Sequence, residues 1–120
     1  MKRFVIIVGV IASLTILMLF ATRPAVLTAG ELPRHKANES NGERMFNAGG
    51  CASCHSSTED RSQPPLLGGG LAMNTPFGLF RVPNISTDPT SGIGHWSLLD
   101  FVNAMQKGTS PDGRHYYPAF

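Results

Sequence analysis

The chain has 120 residues and a formal net charge of +2, which limits it to one small domain. Because the charge is low and no stretch is strongly basic, the chain lacks the broad basic face of a nucleic-acid-binding protein, and no nucleic-acid partner is expected. Apolar residues make up 42% of the sequence. That share is ordinary for a globular protein, but much of it lies in residues 1–27.

The first segment is apolar enough to enter a membrane. Lys2 and Arg3 precede an uncharged run from Phe4 to Ala21, which as a helix would span roughly 27 Å, close to the thickness of a bilayer core. The length of the run and the poor cleavage site after it favour an uncleaved anchor over residues 1–21, with a cleaved signal peptide as the alternative. Both interpretations place the rest of the chain outside the cytoplasm.

Residues 22–37 contain prolines, a glycine and charges of both signs without an apolar period, and we interpret them as a tether. The folded domain is predicted to cover residues 38–120. Several potential N-cap side chains at residues 38–41 precede a short helix through Ala48, which Gly49 and Gly50 terminate.

Residues 56–94 are rich in proline and glycine and are predicted to form a long loop without elements of its own. A loop of this length is unusual in a compact domain unless it wraps something other than protein. A second helix follows, because Leu98, Phe101, Val102 and Met105 have the spacing of one helical face. Ser97 is expected to cap this helix with Asp100, and Gly108 is expected to end it.

The chemistry of the chain is concentrated in Cys51-Ala52-Ser53-Cys54-His55, which contains both of its cysteines. This Cys-x-x-Cys-His pattern is typical of covalent haem attachment. Two thiols three residues apart reach the two vinyl groups of one haem, and the next residue can place its imidazole on the iron. The pattern therefore predicts one haem c, held by Cys51 and Cys54, with His55 as an axial ligand.

Three other interpretations of the cysteines are weaker. A redox thiol pair normally follows a strand in a βαβ unit, which this sequence lacks. A disulfide across two residues would be strained and would stabilise little. A zinc site would need two of His55, His95 and His115, which lack the usual compact spacing.

From about Gly42 onward the sequence resembles the cytochrome c subunits of bacterial membrane-bound alcohol, gluconate and sugar dehydrogenases. The Cys-x-x-Cys-His motif alone is general. More specific are the strings Thr75-Pro76-Phe77-Gly78, Pro83-Asn84-Ile85-Ser86-Thr87-Asp88-Pro89, Gly92-Ile93-Gly94-His95-Trp96-Ser97 and Asp112-Gly113-Arg114-His115-Tyr116-Tyr117-Pro118-Ala119-Phe120.

The resemblance implies an all-α, class I cytochrome c-like fold with an edge-exposed haem. It implies that a proline after the motif, Pro64 or Pro65, orients His55 through its carbonyl. It also implies contacts of Asn84, Ser86 and Trp96 with the haem propionates, although Asn84 and Ser86 are equally suited to turns and Trp96 to a core position. Arg81 is a further propionate partner or a solvated cation.

The sixth iron ligand is unknown from the sequence. Relatives often carry two or three haem motifs and continue beyond the point that Phe120 occupies here, so the chain is interpreted as a fragment without its distal segment. Of the methionines after the motif, Met105 fits the apolar face of the second helix and is expected to pack in the core. Met73 lies in a glycine-rich loop and could reach the iron, although the family pattern does not support it. His95 and His115 are interpreted as surface residues, and Glu59 and Asp60 as solvated turn residues.

The resulting function is electron transfer rather than catalysis on a substrate. The expected partners are a periplasmic dehydrogenase and a quinone, an oxidase or a soluble cytochrome, and the expected location is the bacterial inner membrane with the haem domain in the periplasm. The alternatives are a soluble periplasmic form after cleavage and a five-coordinate haem that binds or senses small ligands.

Overall fold

The computed structural model describes residues 1–57 and 65–118. Its first element is helix α1, Lys2–Ala21, which covers the whole predicted apolar run. This helix is long and apolar enough to cross a membrane. Its mean hydropathy is 2.8, and none of its apolar window is buried against the rest of the protein. Its side chains are exposed throughout, as expected of a helix whose environment is lipid rather than protein.

Two helices flank the domain as the sequence predicts. Helix α2, Glu39–Ala48, begins after Asn38, whose side chain accepts a hydrogen bond from the Asn41 N–H. Helix α4, Leu98–Lys107, begins after Ser97 and ends at Gly108, which has a left-handed φ of 59°. Between them the one-turn helix α3, Cys51–His55, follows α2 directly.

The long loop between α3 and α4 is not without structure, and in this respect the prediction was wrong. Strand β1, Ala72–Thr75, pairs antiparallel with strand β2, Gly78–Arg81, and the register joins Met73 to Phe80. The all-α prediction is thus right for the helices and wrong for this hairpin. The apolar side chains in residues 71–80 alternate too weakly to signal strands, so the pairing is decided by the turn and by contacts beyond it.

The hairpin is extended by loop segments on both sides. Gly70 N–H donates to Val82 O at 2.8 Å, and Ile85 N–H donates to Leu67 O at 3.0 Å. These bonds bring residues 67–71 alongside residues 82–85. Val82, 6% exposed, is the one buried apolar residue in the described part of the chain.

Residues 22–37, the predicted tether, contain some local structure. They include a short 3₁₀ helix, Ala29–Glu31, in which the Thr28 N–H donates to Glu31 Oε2 at 2.7 Å. The backbone before it is hydrogen-bonded to α4 through Asn103. Local capping thus operates here as it does at the longer helices.

Candidate haem-binding site

The two cysteines and the histidine lie on the single turn of α3. Gly50 precedes this turn with a left-handed φ of 63°, a conformation that glycine adopts at little cost and that turns the chain sharply out of α2. Cys51 is half-buried and Cys54 is exposed, and both thiols are free. Since positions three and four apart share a helical face, Cys51, Cys54 and His55 are directed to one side.

His55 is held by two separate segments. Its Nδ1 lies 2.9 Å from the Pro83 carbonyl oxygen, and its own carbonyl accepts a hydrogen bond from Gly69 N–H at 2.7 Å. Because a carbonyl can only accept, Nδ1 carries the proton and donates it. The neutral imidazole then keeps its lone pair on Nε2, which is the atom needed to bind iron.

In this structure it is the carbonyl of Pro83 that holds the His55 ring, and the assignment of this role to Pro64 or Pro65 stays a prediction. Pro64 lies outside the described residues. The carbonyl of Pro83 can approach closely because Gly69 has no side chain: a Cβ at Gly69 would lie 2.5 Å from both the Val82 and the Pro83 oxygens. Sequence reasoning missed this pair because it depends on a contact across 28 residues.

Three of the predicted haem-contact residues share one shallow cavity of about 780 Å³. Asn84 and Ser86 line it together with Pro65, and the leucines Leu66 and Leu67 supply its apolar wall. Asn84 Oδ1 accepts from Ser86 N–H at 2.8 Å, so the turn that the sequence allows for is present. The NH₂ group of Asn84 has no acceptor among the described residues, so it can donate to another group.

Trp96 is half-buried just before α4 and is not part of this cavity wall. Its backbone N–H donates to Ile93 O at 3.0 Å, and its indole N–H has no acceptor among the described residues. Arg81 is exposed at the end of β2. Both side chains thus retain donors for a carboxylate.

The remaining histidines and methionines of the domain are separate from α3. His95 is exposed, and His115 Nε2 lies 2.8 Å from Thr22 O. Met73 is half-buried in β1, whereas Met105 is 50% exposed on α4, so the core role expected for Met105 is not seen. Glu59 and Asp60 lie outside the described residues.

The residues present fit a haem better than they fit a bare metal ion. In residues 1–57 and 65–118, no group of three or more His, Cys, Asp or Glu side chains is arranged to hold a metal ion. By contrast, large apolar side chains remain uncovered in several parts of the domain. Such surface is unfavourable in water, and a flat apolar macrocycle is suited to cover part of it. The examples are Met45, Leu66, Leu98 and Phe101, which are 60%, 67%, 66% and 45% exposed.

Comparison with known proteins identifies relatives of this chain among cytochromes c. The chain is 46% identical over 103 residues to a diheme cytochrome c-type protein of Cereibacter sphaeroides, a match over 85% of this chain and 35% of the relative. It is 38% identical over 96 residues to a gluconate 2-dehydrogenase cytochrome c subunit of Pantoea cypripedii, over 78% of this chain and 21% of the relative. A fructose dehydrogenase cytochrome subunit of Gluconobacter japonicus is 33% identical over 110 residues, covering 90% of this chain and 22% of the relative. No family model matches the sequence.

The chain is thus homologous to c-type cytochromes. More particularly, the predicted resemblance to the cytochrome c subunits of bacterial membrane-bound dehydrogenases is confirmed by the names of these relatives. The chain spans about a third of the length of the diheme relative and about a fifth of the two dehydrogenase subunits.

Proposed function

We propose that this chain is a membrane-anchored electron carrier that holds one covalently attached haem c. The observation that carries the proposal is the arrangement of Cys51, Cys54 and His55 on one helical turn, with the Nδ1 of His55 2.9 Å from the Pro83 carbonyl. Cys51 and Cys54 would hold the haem through thioether bonds to its two vinyl groups, and His55 Nε2 would be the ligand to its iron. The bound iron supplies the chemistry, a one-electron change between the ferric and ferrous states.

The chain's own residues set the conditions for that exchange. The Nδ1–H bond to Pro83 fixes the tautomer and the plane of the imidazole, and it makes the ring a stronger donor to the iron. Because a stronger donor favours the ferric state, this bond would lower the reduction potential of a bound haem. Asn84, Ser86 and Trp96 are assigned to the haem propionates, because each retains a polar hydrogen for a carboxylate. Pro65 contributes to the adjacent apolar wall.

The proposed electron donor is a periplasmic dehydrogenase. Two relatives are named as cytochrome subunits of gluconate and fructose dehydrogenases, which supports a subunit or partner role in a complex of this kind. The proposed acceptor is a quinone, an oxidase or a soluble cytochrome. Helix α1 would keep the haem domain at the periplasmic face of the inner membrane, since Lys2 and Arg3 favour a cytoplasmic N-terminus.

Absorption spectra of the oxidised and reduced protein, produced in the periplasm with haem-maturation factors, test the proposal. The absorption bands of a c-type haem are expected. If they are sharp and low-spin, the iron has two strong axial ligands, which supports electron transfer. High-spin bands would indicate an open coordination position and favour the alternative, a haem module that binds small ligands. A protein without haem absorption would overturn the proposal and favour the interpretation of the two cysteines as a redox thiol pair.

Substitution of both cysteines tests the covalent attachment. The Cys51→Ala/Cys54→Ala variant should lose haem absorption from the denatured polypeptide, because neither thioether can form. The matched control is Asn47→Ala on the exposed surface of α2, which should retain the full haem content. Haem that stays with the denatured double variant would contradict attachment at these two positions.

A further inference from the structure

The connection between α1 and the haem domain is hydrogen-bonded to α4 and to the segment that follows α4. The Leu27 N–H donates to Asn103 Oδ1 at 2.6 Å, and Asn103 Nδ2 donates to Leu27 O at 3.3 Å. A carboxamide has a donor and an acceptor side by side, so it can pair with both polar groups of one backbone residue. Asn103 thus binds Leu27 much as a neighbouring strand would.

Two further side chains continue this contact toward α1. Thr109 Oγ1 donates to Ala25 O at 2.9 Å, and His115 Nε2 lies 2.8 Å from Thr22 O, to which it donates. Thr22 directly follows Ala21, the last residue of α1. The contacts therefore begin where the apolar helix ends and cover residues 22–27.

Burial indicates that this contact is part of the fold. Asn103 is 8% exposed and Thr109 is 0% exposed. A buried polar group is costly unless it is hydrogen-bonded. Residues 22–27 supply both partners of the Asn103 carboxamide and the nearer of two acceptors of the Thr109 hydroxyl, the other being Lys107 O at 3.3 Å. Without that segment, the carboxamide of Asn103 would lose both of these bonds.

A free connection would behave differently. A flexible linker of the length of residues 22–37 would have an end-to-end distance of roughly 20 Å and would leave the orientation of the domain free. We propose that Asn103, Thr109 and His115 form a clamp on residues 22–27 that holds the haem domain in one orientation on its membrane helix. They are positioning residues: through the clamp, the haem edge is presented to a membrane-bound partner from one fixed direction. The orientation of a haem rests on the proposed function, whereas the clamp itself does not.

Hydrogen exchange in the full-length chain, embedded in lipid nanodiscs, tests the clamp directly. The Leu27 amide should exchange slowly, because it donates to a buried oxygen, whereas the amide of Val26 has no acceptor among the described residues and should exchange fast. In Asn103→Ala, protection of Leu27 should fall by roughly tenfold or more, the factor that corresponds to about 1.4 kcal/mol. The control is Gln106→Ala, an exposed amide on the same helix, which should leave the protection of Leu27 unchanged.

A second variant, His115→Ala, keeps the test informative if Asn103→Ala does not fold. His115 is exposed, so His115→Ala removes the bond to Thr22 without opening the buried part of the clamp, and the Leu27 protection should fall less than in Asn103→Ala. Equal exchange of Leu27 and Val26 in the unsubstituted protein would overturn the proposal. So would a mature N-terminus beyond Leu27 in the intact mass, since the clamped segment would then be absent.

The orientation is measured by linear dichroism of the haem absorption in aligned membranes. The unsubstituted protein and Gln106→Ala should show clear dichroism, and Asn103→Ala and His115→Ala should move toward the isotropic ratio. Equal dichroism in all four proteins, or none in the unsubstituted protein, would overturn the fixed orientation. Absence of any haem absorption would instead contradict the proposed function. Hydrogen exchange of the Leu27 amide would still decide whether the clamp exists.

Discussion

His55 shows how a single side chain acquires its role from residues far along the chain. Its motif is local, but the atoms that hold it belong to Pro83 and Gly69. The carbonyl of Pro83 selects the tautomer, and Gly69 leaves the space in which that carbonyl can lie. Since Gly69 also has a left-handed φ of 69°, both space and backbone conformation require glycine there.

Substitution of this glycine should damage the site. In Gly69→Ala a Cβ would meet two backbone oxygens at 2.5 Å, which must move and take Pro83 away from His55. The left-handed backbone alone costs about 1–2 kcal/mol for alanine, so the free energy of unfolding of the holoprotein should fall by at least about that amount. Guanidinium unfolding followed by circular dichroism measures it.

Gly68→Ala is the matched control. A Cβ at Gly68 meets nothing within 4 Å, and its φ is not left-handed. The neighbouring substitution should therefore leave stability nearly unchanged. If both variants were equally stable, the close approach at Gly69 would not be needed for the fold.

At the scale of elements, helix α4 is fixed by a reciprocal cap. Asp100 N–H donates to Ser97 Oγ at 3.1 Å, and Ser97 N–H donates to Asp100 Oδ2 at 2.9 Å. The hydrogen bonds from Ser97 hold the pKa of the Asp100 carboxyl below its usual value. Two backbone donors that would otherwise lack partners are thereby satisfied.

Removal of this cap should destabilise the protein modestly. Ser97→Ala is expected to cost about 1 kcal/mol, the usual contribution of a serine N-cap. Ser40→Ala serves as the control, because Ser40 lies in the first turn of α2 and not at its N-cap position. Thermal unfolding of both variants makes the comparison, and an equal loss in the two would contradict a specific role for Ser97.

The loop before α4 is organised by another carboxylate, that of Asp88. Its Oδ1 accepts hydrogen bonds from the Ser91 N–H at 2.7 Å, from Ser91 Oγ at 2.9 Å and from the Thr90 N–H at 2.9 Å. The bonds from Ser91, followed by that from Thr90, hold the pKa of Asp88 below its ordinary value of 3.8. The loop is thus tied to the ionised form of this side chain.

This link has a defined pH dependence. A carboxyl whose pKa is lower in the folded than in the unfolded chain stabilises the fold above the unfolded value, near 3.8, and loses that contribution as the pH falls through the lower folded value. Asp88→Asn keeps an acceptor oxygen but cannot titrate. Urea unfolding at about pH 6 and about pH 3 should therefore show a smaller acid-induced loss of stability in this variant.

The control for this measurement is Glu43→Gln, at an exposed glutamate of α2. It should reproduce the acid-induced loss of the unsubstituted protein. An unchanged loss in Asp88→Asn would mean that the loop does not depend on the charge of Asp88.

The whole molecule combines an apolar helix with a domain that buries little of its apolar surface. Helix α1 is 20 residues long and exposed along its length, which suits lipid rather than water. Among the described residues of the domain, Val82 is the one buried apolar residue, while Leu98, Phe101 and Met105 on α4 remain 66%, 45% and 50% exposed. Both parts thus present apolar surface, the first suited to a bilayer and the second in part to a bound haem.

A charge at the centre of α1 should weaken its hold on the membrane. Lysine near the middle of a spanning helix costs about 2.5–3.5 kcal/mol on insertion scales, so Ile11→Lys should move a large fraction of the protein out of the alkali-washed membrane pellet. The conservative variant Ile11→Leu should remain in the pellet. Equal retention of the two proteins would indicate that α1 does not anchor the chain.

The sequence by itself determined the features that depend on near neighbours along the chain. The apolar run of α1, the cap of α4 and the stop at Gly108 follow from local propensity and hydrogen bonding, and the Cys-x-x-Cys-His motif follows from the reach of two thiols and an imidazole. Only the tertiary structure decided that residues 72–81 form a hairpin, that the Pro83 carbonyl contacts His55 Nδ1, and that Asn103 holds Leu27. The physical reason is separation along the chain. Apart from the hairpin, each of these contacts joins groups 28 or more residues apart in sequence. No local pattern specifies the partner at such a separation.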